Sequence, residues 1–478
     1  MQKRRIAFSL IAGLLSEIAN KLFPILTLQL AARKLGIDAF GVSQFSQWVL
    51  DLGIFFVVFG YSNWSMIKWR DSPVEERSKI FGTTTVLRLI HAVLASVAIL
   101  AFLTHNENWG AYKAIVLQSI FIIFASAVDA TWAMTSLNKL SRLSLISLTS
   151  KLIGLIAIFF LVQNQSDAPI YTFILMASNA TIAVATFLYV LKNIGFQAPS
   201  AMEIAKAFKG SIKYAVSFVL MIVLERFDLL LVELNHGANG VGLYSGPSKI
   251  SQSILPVAGM VSTVFFAEIL NIKDKLQFRH HFQTGLRISV LMIAPVLAGS
   301  WFVFADLIAI VVGEEFRSSA HLFPILGMAI FPHLLFLIFG YQVLTINGQV
   351  NKLNLSLTLA VAFIFVFYYG LRQTLTIEHI AWLNTLLRWI AALATIYFAS
   401  SYLEGKLELL LTVVTALIPS VLMAIVLSFF QDTNFLVLII LGVATYFLVS
   451  SLMFFKEISF LFGRFIAARS NSSLKSLE

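Results

Sequence analysis

The sequence predicts an all-α, polytopic membrane protein with about fourteen transmembrane helices. Of its 478 residues, 59% are hydrophobic and only 12% are charged, whereas a soluble domain has roughly 45–50% and 25%. The apolar residues occur in runs of the roughly 20 residues that a helix needs to cross about 30 Å of hydrocarbon. These runs lack the alternation of apolar and polar residues that is typical of membrane barrel strands. Together, these observations exclude a soluble enzyme.

The fourteen candidate spans fill nearly the whole chain. The first follows a basic segment, as in a signal peptide, but Glu17 and Lys21 interrupt it and further spans follow, so we expect a retained helix. In chain order the spans lie near 6–32, 40–67, 80–103, 112–136, 143–162, 168–191, 211–234, 239–269, 285–311, 321–346, 353–370, 377–400, 408–430 and 434–456.

The distribution of lysine and arginine predicts the orientation of these spans. Of the 34 cations, 23 fall in segments on the side of the N-terminus, 5 on the opposite side and 6 within spans. Because cytoplasmic loops carry the excess of Lys and Arg, both termini are predicted to be cytoplasmic.

A linker and a repeat divide the chain. Ser200 and Glu203 have capping-box spacing in the longest stretch between spans, which predicts a short interfacial helix. We therefore expect a first lobe over 1–195, a linker helix over 196–210, a second lobe over 211–402 and an additional hairpin with a cytoplasmic tail over 403–478. Two glycines five residues apart recur 201 residues later, at 36 and 41 and at 237 and 242, which indicates an internal repeat of six-helix sets.

Ionisable residues within the spans are the candidate functional residues, because each costs about 2.5–3.5 kcal/mol at the centre of a membrane helix. Water in a cavity, an anionic substrate or interhelical ion pairs could compensate this cost. The predicted substrate-binding cations are Lys21, Arg88, Lys151, Arg226, Lys249 and Arg388. The predicted coupling or ion-pairing acids are Glu17, Asp51, Asp129, Glu225 and Asp228.

Position along the spans refines this set. Lys21 and Arg226 occupy corresponding regions of the two halves, so we expect their side chains to meet across a cavity. Glu233, Glu268 and Asp306 lie near span ends, where their carboxylates are expected to reach the membrane interface.

Several function classes lack any signal in the sequence. It contains no cysteine, and no Walker loop, His-Glu-x-x-His, Gly-x-Ser-x-Gly or Asp-x-Asp motif. We therefore predict no catalytic residues, no metal and no cofactor. The excess of ten positive charges is dispersed between apolar runs, so the expected partners are membrane lipids or an anionic substrate rather than nucleic acid.

Two stretches resemble the Wzx-type flippases of O-antigen and capsule polysaccharides. They are Leu30 to Gly36 with Ala39 to Gly41, and Arg226 to Leu231 followed by Val241 to Ser245 and Lys249. The resemblance implies the fold of the multidrug, oligosaccharidyl-lipid and polysaccharide exporter superfamily, with two six-helix lobes in a V around a central cavity. The additional C-terminal hairpin is similar to that of lipid II flippases, where it contributes to a groove for the lipid tail.

The resemblance also implies a function without covalent chemistry. We expect a flippase that moves a polyprenyl-pyrophosphate-linked oligosaccharide from the cytoplasmic to the periplasmic leaflet of a bacterial inner membrane by alternating access. Its partners would be that lipid-linked oligosaccharide and, as a further candidate, a polysaccharide polymerase. Two alternatives stay open: a cation-coupled multidrug exporter of the same superfamily, and an integral-membrane saccharide polymerase or ligase.

Overall fold

The computed structural model describes residues 2–105, 109–137, 139–269, 275–345, 347–371, 375–403 and 405–474. Every regular element in these ranges is helical. Within the described ranges, ten helical segments are long and apolar enough to cross a membrane, or eleven if a pair bent by 42° forms one span. The predicted all-α membrane class is therefore confirmed. The ten do not include the helix over residues 201–269, which contains two of the predicted spans, and the total of fourteen stays a prediction.

The principal helices follow one another closely. In chain order they are α1 (Gln2–Val58), α2 (Tyr61–Asp71), α3 (Arg77–His105), α4 (Gly110–Ser119), α5 (Phe121–Ala127), α6 (Thr131–Ser136), α7 (Leu140–Leu161), α8 (Ala168–Ile194), α9 (Ala201–Ile269), α10 (Lys275–Val311), α11 (Leu322–Met328), α12 (Ile330–Phe336), α13 (Val350–Leu371), α14 (Ile377–Ala399), α15 (Lys406–Ser428) and α16 (Phe435–Leu474). A π-helix, Leu337–Leu344, follows α12.

Two of these helices are bent at a single glycine. Gly36 in α1 has φ 70° and ψ 176°, and Gly237 in α9 has φ 61° and ψ −164°. This positive-φ region favours glycine, which has no Cβ to clash with the backbone. Each glycine divides its helix into a first and a second arm that match consecutive predicted spans. The two bends are related by the 201-residue offset of the predicted repeat.

The beginnings of the second arms of α1 and α9 pack backbone to backbone. A Cβ atom on Gly41 would overlap the carbonyl oxygen of Ala238, and one on Gly242 would overlap the carbonyl oxygen of Ile37. Because Ile37 and Ala238 are also 201 residues apart, the two contacts are equivalent. The repeat thus has a structural role, since both glycines are needed for this close approach.

A polar contact between equivalent residues completes this region. Asn239 donates a hydrogen bond of 2.9 Å from its side-chain amide to the carboxylate of Asp38, and these residues also differ by 201. We call residues 36–42 and 237–243 the glycine junction.

Two predicted spans are broken within the helical bundle. In the span predicted over 112–136, the carboxylate of Asp129 accepts hydrogen bonds of 2.9 Å from the backbone N–H and the hydroxyl of Thr131, and α6 begins there. In the span predicted over 40–67, Phe59 and Gly60 have φ values of 36° and 73°, so α1 ends at Val58. A count of apolar residues does not reveal either break.

The linker begins α9. The predicted capping box is confirmed, because the Ser200 N–H donates to the Glu203 carboxylate at 2.8 Å and the Glu203 N–H donates to the Ser200 hydroxyl at 3.4 Å. Lys79 forms an ion pair with Glu203, and this contact together with the Ser200 N–H lowers the pKa of Glu203 to about 2. The helix does not stop at residue 210 but continues to the bend at Gly237, because no proline interrupts it.

The chain forms two compact units. Unit 1 consists of Met1–Lys249, Val311–Phe316 and Leu375–Ile380, and contains the glycine junction. Unit 2 consists of Ile250–Ile310, Arg317–Thr374 and Ala381–Glu478. The lobe boundaries expected from the sequence, after residues 195, 210 and 402, stay predictions.

Candidate functional site

Three of the predicted charged residues meet in unit 1. An Arg226 guanidinium nitrogen lies 3.7 Å from a carboxylate oxygen of Asp51. Lys249 is close enough to interact electrostatically with both residues. We call Asp51, Arg226 and Lys249 the charge cluster. It joins the second arm of α1 to both arms of α9.

Aromatic residues of α1 fix the position of Arg226. The indole N–H of Trp48 donates a hydrogen bond of 2.8 Å to the backbone carbonyl of Arg226. The guanidinium carbon lies 5.9 Å from the centre of the Phe55 ring, within range of a cation–π interaction. The backbone and the guanidinium of Arg226 are thus both held against α1.

The charge cluster carries one excess positive charge between α1 and α9. Two cations face a single carboxylate, and the Arg226 and Asp51 side chains are 36% and 29% exposed. Because an uncompensated cation is costly in hydrocarbon, the cluster requires water or an additional anion. A guanidinium can bind two phosphate oxygens at once, and an ammonium can add a point charge beside it.

Asp228 is held by a partner that the sequence interpretation missed. Its buried carboxylate accepts a hydrogen bond of 2.5 Å from the hydroxyl of Tyr244 and one of 2.8 Å from the backbone N–H of Leu229. Tyr244 lies in the block that carries the family resemblance, so its presence there was an available signal. The bond from Tyr244 connects the two arms of α9 across the bend.

Arg88 and Asp129 also meet in unit 1, through the backbone. Arg88 is only 1% exposed, and it donates a hydrogen bond of 2.7 Å to the carbonyl oxygen of Asp129 and another to the hydroxyl of Ser62. The guanidinium therefore connects α3 to the start of α2 and to the break between α5 and α6.

Arg388 lies in unit 2, and its described hydrogen bonds go to an amide and an imidazole rather than to a carboxylate. It is 4% exposed and donates to the side-chain oxygen of Asn384 at 3.1 Å and to Nδ1 of His333 at 3.0 Å. A guanidinium can only donate, so Nδ1 of His333 accepts and the imidazole is neutral in this arrangement. Arg388 thereby connects α14 to α12.

The remaining predicted residues are not part of the charge cluster as described. The Lys151 ammonium lies 5.9 Å from the centre of the Phe23 ring. Glu225 is partly buried and precedes Arg226. The side chains of Glu17 and Lys21 lie outside the described residues, so the expected approach of Lys21 to Arg226 stays a prediction.

Glu233 is bound to Tyr112, and its predicted approach to the membrane interface stays a prediction. One of its carboxylate oxygens accepts a hydrogen bond of 2.6 Å from the hydroxyl of Tyr112, and the other is buried. Tyr112 precedes Glu233 by 121 residues, so nothing in the local sequence indicated this contact. Asp306, in contrast, pairs with Arg317 at 3.2 Å, with both side chains nearly half exposed. Glu268 lies outside the described side chains.

Unit 2 contains an apolar groove of about 760 Å³. Its walls come mainly from α10, α15 and α16, and its few polar side chains include Ser300, Tyr446 and Ser450. Two glycines, Gly299 and Gly442, also line it, and a Cβ atom on either would make only ordinary contacts. The apolar groove can accommodate a hydrocarbon chain but has no charged side chain to bind a headgroup.

Comparisons with known proteins agree with this architecture. Residues 8–266, more than half of the chain, match the family described as "Polysaccharide biosynthesis protein". A search of curated proteins gave no significant match.

Solved structures share the fold. The lipid II flippase MurJ in an inward closed conformation is 16% identical with a TM-score of 0.73, over 93% of this chain and 100% of that one. A MATE transporter in a bent conformation is 14% identical with a TM-score of 0.52, over 87% and 97%. An outward-facing multidrug resistance MATE transporter of the MOP superfamily is 16% identical with a TM-score of 0.52, over 82% and 93%. The predicted superfamily fold is confirmed.

Proposed function

We propose that this chain, which belongs to the polysaccharide biosynthesis protein family, is a flippase for a lipid-linked oligosaccharide. It moves a polyprenyl-pyrophosphate-linked saccharide from the cytoplasmic to the periplasmic leaflet by alternating access, for the synthesis of O-antigen or capsule. The observation that carries this proposal is the excess positive charge of the charge cluster, at positions where the sequence predicts membrane spans. An anionic headgroup supplies the missing negative charge.

In this mechanism the pyrophosphate competes with Asp51 for Arg226. The separation of 3.7 Å between their charged atoms is longer than a strong charge-assisted hydrogen bond of about 2.7–2.9 Å, so phosphate oxygens can form shorter contacts. Lys249 contributes the second positive charge, and Lys21 and Lys151 are further candidates. Asp51 and Asp228 are the candidate coupling carboxylates, with Glu17 and Glu225 as further acids. No covalent bond changes.

We assign Arg88 and Arg388 as positioning residues. Each guanidinium is almost fully buried and already donates two hydrogen bonds. Arg88 donates to the Asp129 carbonyl and Ser62, and Arg388 donates to Asn384 and His333. Their contribution to transport would therefore be to hold α2, α3, α12 and α14 in place around the substrate path.

The positive charge of the charge cluster and the short stretches between the predicted spans favour a flippase over the two alternative functions. A cation-coupled drug exporter needs acids and aromatic residues in its cavity, and the excess positive charge of the charge cluster would repel a cationic drug. A saccharide polymerase or ligase needs an external acceptor region, whereas no stretch between the predicted spans exceeds about twenty residues. Both observations favour the flippase.

The apolar groove gives the function its first test. We expect purified protein in detergent to bind a polyprenyl pyrophosphate more tightly than the free pyrophosphate or a cationic drug, because the groove receives the isoprenoid tail. Gly442→Leu fills the groove and should weaken binding of the polyprenyl pyrophosphate at least tenfold. Gly370→Leu is the matched control, since a Cβ atom there meets open space and the residue is exposed. Preference for the cationic drug would reject the flippase in favour of the exporter.

The proposed orientation predicts which loops are accessible from outside. We place the protein in a bacterial inner membrane with both termini, residues 70–77 and residues 192–210 in the cytoplasm. On this cysteine-free chain, Ser72→Cys and Ser200→Cys should resist a membrane-impermeant thiol reagent in cells with a permeabilised outer membrane. Asn164→Cys, in an exposed turn between α7 and α8, should be labelled. The reverse labelling pattern would show that the orientation is wrong.

A further inference from the structure

Glu233 and Tyr112 form a contact between α9 and α4 that the proposed mechanism has not used. The Tyr112 hydroxyl donates a hydrogen bond of 2.6 Å to Oε1 of Glu233. Oε2 is buried and has no hydrogen-bond partner in the described part of the chain. Glu233 lies four residues before the bend at Gly237. The contact is therefore located on the arm of α9 that leads into the glycine junction.

Aromatic rings pack against the Tyr112 side of this contact, and Oε2 of Glu233 is buried. Phe45 is fully buried, and its ring centre lies 5.1 Å from those of Trp48 and Tyr112 and 4.7 Å from that of Trp109. Trp48 and Tyr112 are 7% and 4% exposed. A carboxylate in such surroundings loses its hydration without gaining the hydrogen bonds that would replace it.

The charged groups on the adjoining helices are engaged elsewhere or face solvent. On α1 and α9, Asp51 and Arg226 pair with each other with Lys249 beside them, and Asp228 accepts the hydrogen bond of Tyr244. On α4, the neighbouring Lys113 is exposed. His236, one turn along α9, forms a hydrogen bond of 2.9 Å with the carbonyl oxygen of Leu375. Among the described residues, no cation forms an ion pair with Glu233.

We propose that Glu233 is a proton-binding site that links closure of the glycine-junction end of the molecule to proton uptake. With the contact closed, Glu233 is neutral and its carbonyl oxygen accepts the hydrogen bond of Tyr112. When α4 and α9 separate, water reaches the carboxyl group, which releases its proton as a hydrated glutamate does at neutral pH. The inference rests on the proposed function in one respect, that this end opens and closes during transport.

The physical reason is the difference in cost between the two protonation states. A buried carboxylate with one hydrogen bond and no cation is costly, whereas the neutral acid leaves at most one hydroxyl hydrogen without a partner. If the proton is bound only in the closed state, raising the pH by one unit lowers the ratio of closed to open molecules by up to tenfold.

Spin labels across the contact provide the test. Ala114→Cys on α4 and Asn235→Cys on α9 place labels at exposed positions on the two helices. With full-length protein in phosphatidylcholine nanodiscs and no substrate, we expect the short-distance population to decrease from pH 5 to pH 9. Glu233→Gln, which stays neutral, should retain the short distance at every pH. Because no substrate is present, a failure here is distinguishable from a failure of the flippase proposal.

Two further variants show whether Glu233 itself titrates. Tyr112→Phe removes the hydrogen bond but not the acid, so it should lower the short-distance population at each pH and retain the pH response. His236→Gln should keep the response of the unsubstituted protein. A distance distribution that does not change with pH in the unsubstituted protein, or a pH response that persists in Glu233→Gln or disappears in His236→Gln, would overturn the proposal. If Glu233→Gln does not fold, loss of the response in Tyr112→Phe overturns it equally.

Discussion

Arg226→Gln is expected to abolish export of surface polysaccharide while the protein remains folded in the membrane. The substitution removes the guanidinium and its contact with the Phe55 ring, but Trp48 binds the backbone carbonyl of residue 226, so this contact of α9 with α1 should persist. Losing a partly buried, two-pronged phosphate contact costs about 2–5 kcal/mol, which corresponds to roughly 30-fold to more than 1,000-fold weaker headgroup binding. Arg226→Lys should retain part of the activity, because the charge survives although the fork geometry is lost.

A second arginine provides the control for this experiment. Arg317 pairs with Asp306 at 3.2 Å, a comparable ion pair, but both side chains are nearly half exposed. Arg317→Gln removes a cation of the same type outside the charge cluster and should leave export unchanged. The measurement is the amount of surface polysaccharide per amount of membrane-inserted protein, in cells that lack the chromosomal copy. Normal polysaccharide in Arg226→Gln would remove Arg226 from the substrate site.

Locking the glycine junction should stop transport completely and reversibly. The Asp38 and Asn239 side chains are in hydrogen-bond contact at 2.9 Å, and the adjoining backbones approach closely at Gly41 and Gly242, so we expect Asp38→Cys combined with Asn239→Cys to form a disulfide. Alternating access requires this contact to open in one of its two states, because binding and release must occur on opposite sides. We expect oxidised protein to lose nearly all transport and to regain it after reduction.

The single variants serve as controls for the lock. Asp38→Cys and Asn239→Cys alone lose the hydrogen bond but cannot form the intramolecular disulfide, so oxidation should leave their transport unchanged. Full transport by the oxidised double variant would mean that the junction stays closed throughout the cycle, and alternating access around it would have to be abandoned.

The glycine junction is a feature of the fold that could be predicted from the sequence. Gly36, Gly41, Gly237 and Gly242 could be found by comparing the chain with itself, because the bend and the close approach both require the absence of a Cβ atom. A requirement of this kind leaves the same residue type at both copies of the repeat. The capping box at Ser200 was equally visible, since its two partners are three residues apart.

Contacts between distant helices were not visible. Intramembrane position identified Arg226 and Asp51 as candidates, but neither hydropathy nor spacing indicated that they pair across 175 residues of chain. The free-energy cost of a cation within a span shows that Arg88 needs a polar partner. It could not show whether that partner is water in a cavity or, as the structure has it, the backbone carbonyl of Asp129. Glu233 was assigned to the interface because it lies near a span end, and its hydrogen bond with Tyr112, 121 residues earlier in the chain, could not be predicted.

The most direct test of the central claim is transfer of substrate across a bilayer. Purified protein is reconstituted into vesicles that contain a fluorescent polyprenyl-pyrophosphate saccharide, and an impermeant quencher reports the fraction in the outer leaflet over time, with and without an imposed ion gradient. We expect unsubstituted protein and Arg317→Gln to make the inner-leaflet pool accessible, and we expect Arg226→Gln and the oxidised junction variant to behave like protein-free vesicles. Unsubstituted protein that performs no better than protein-free vesicles under either condition, or Arg226→Gln that transfers the saccharide as fast as Arg317→Gln, would contradict it.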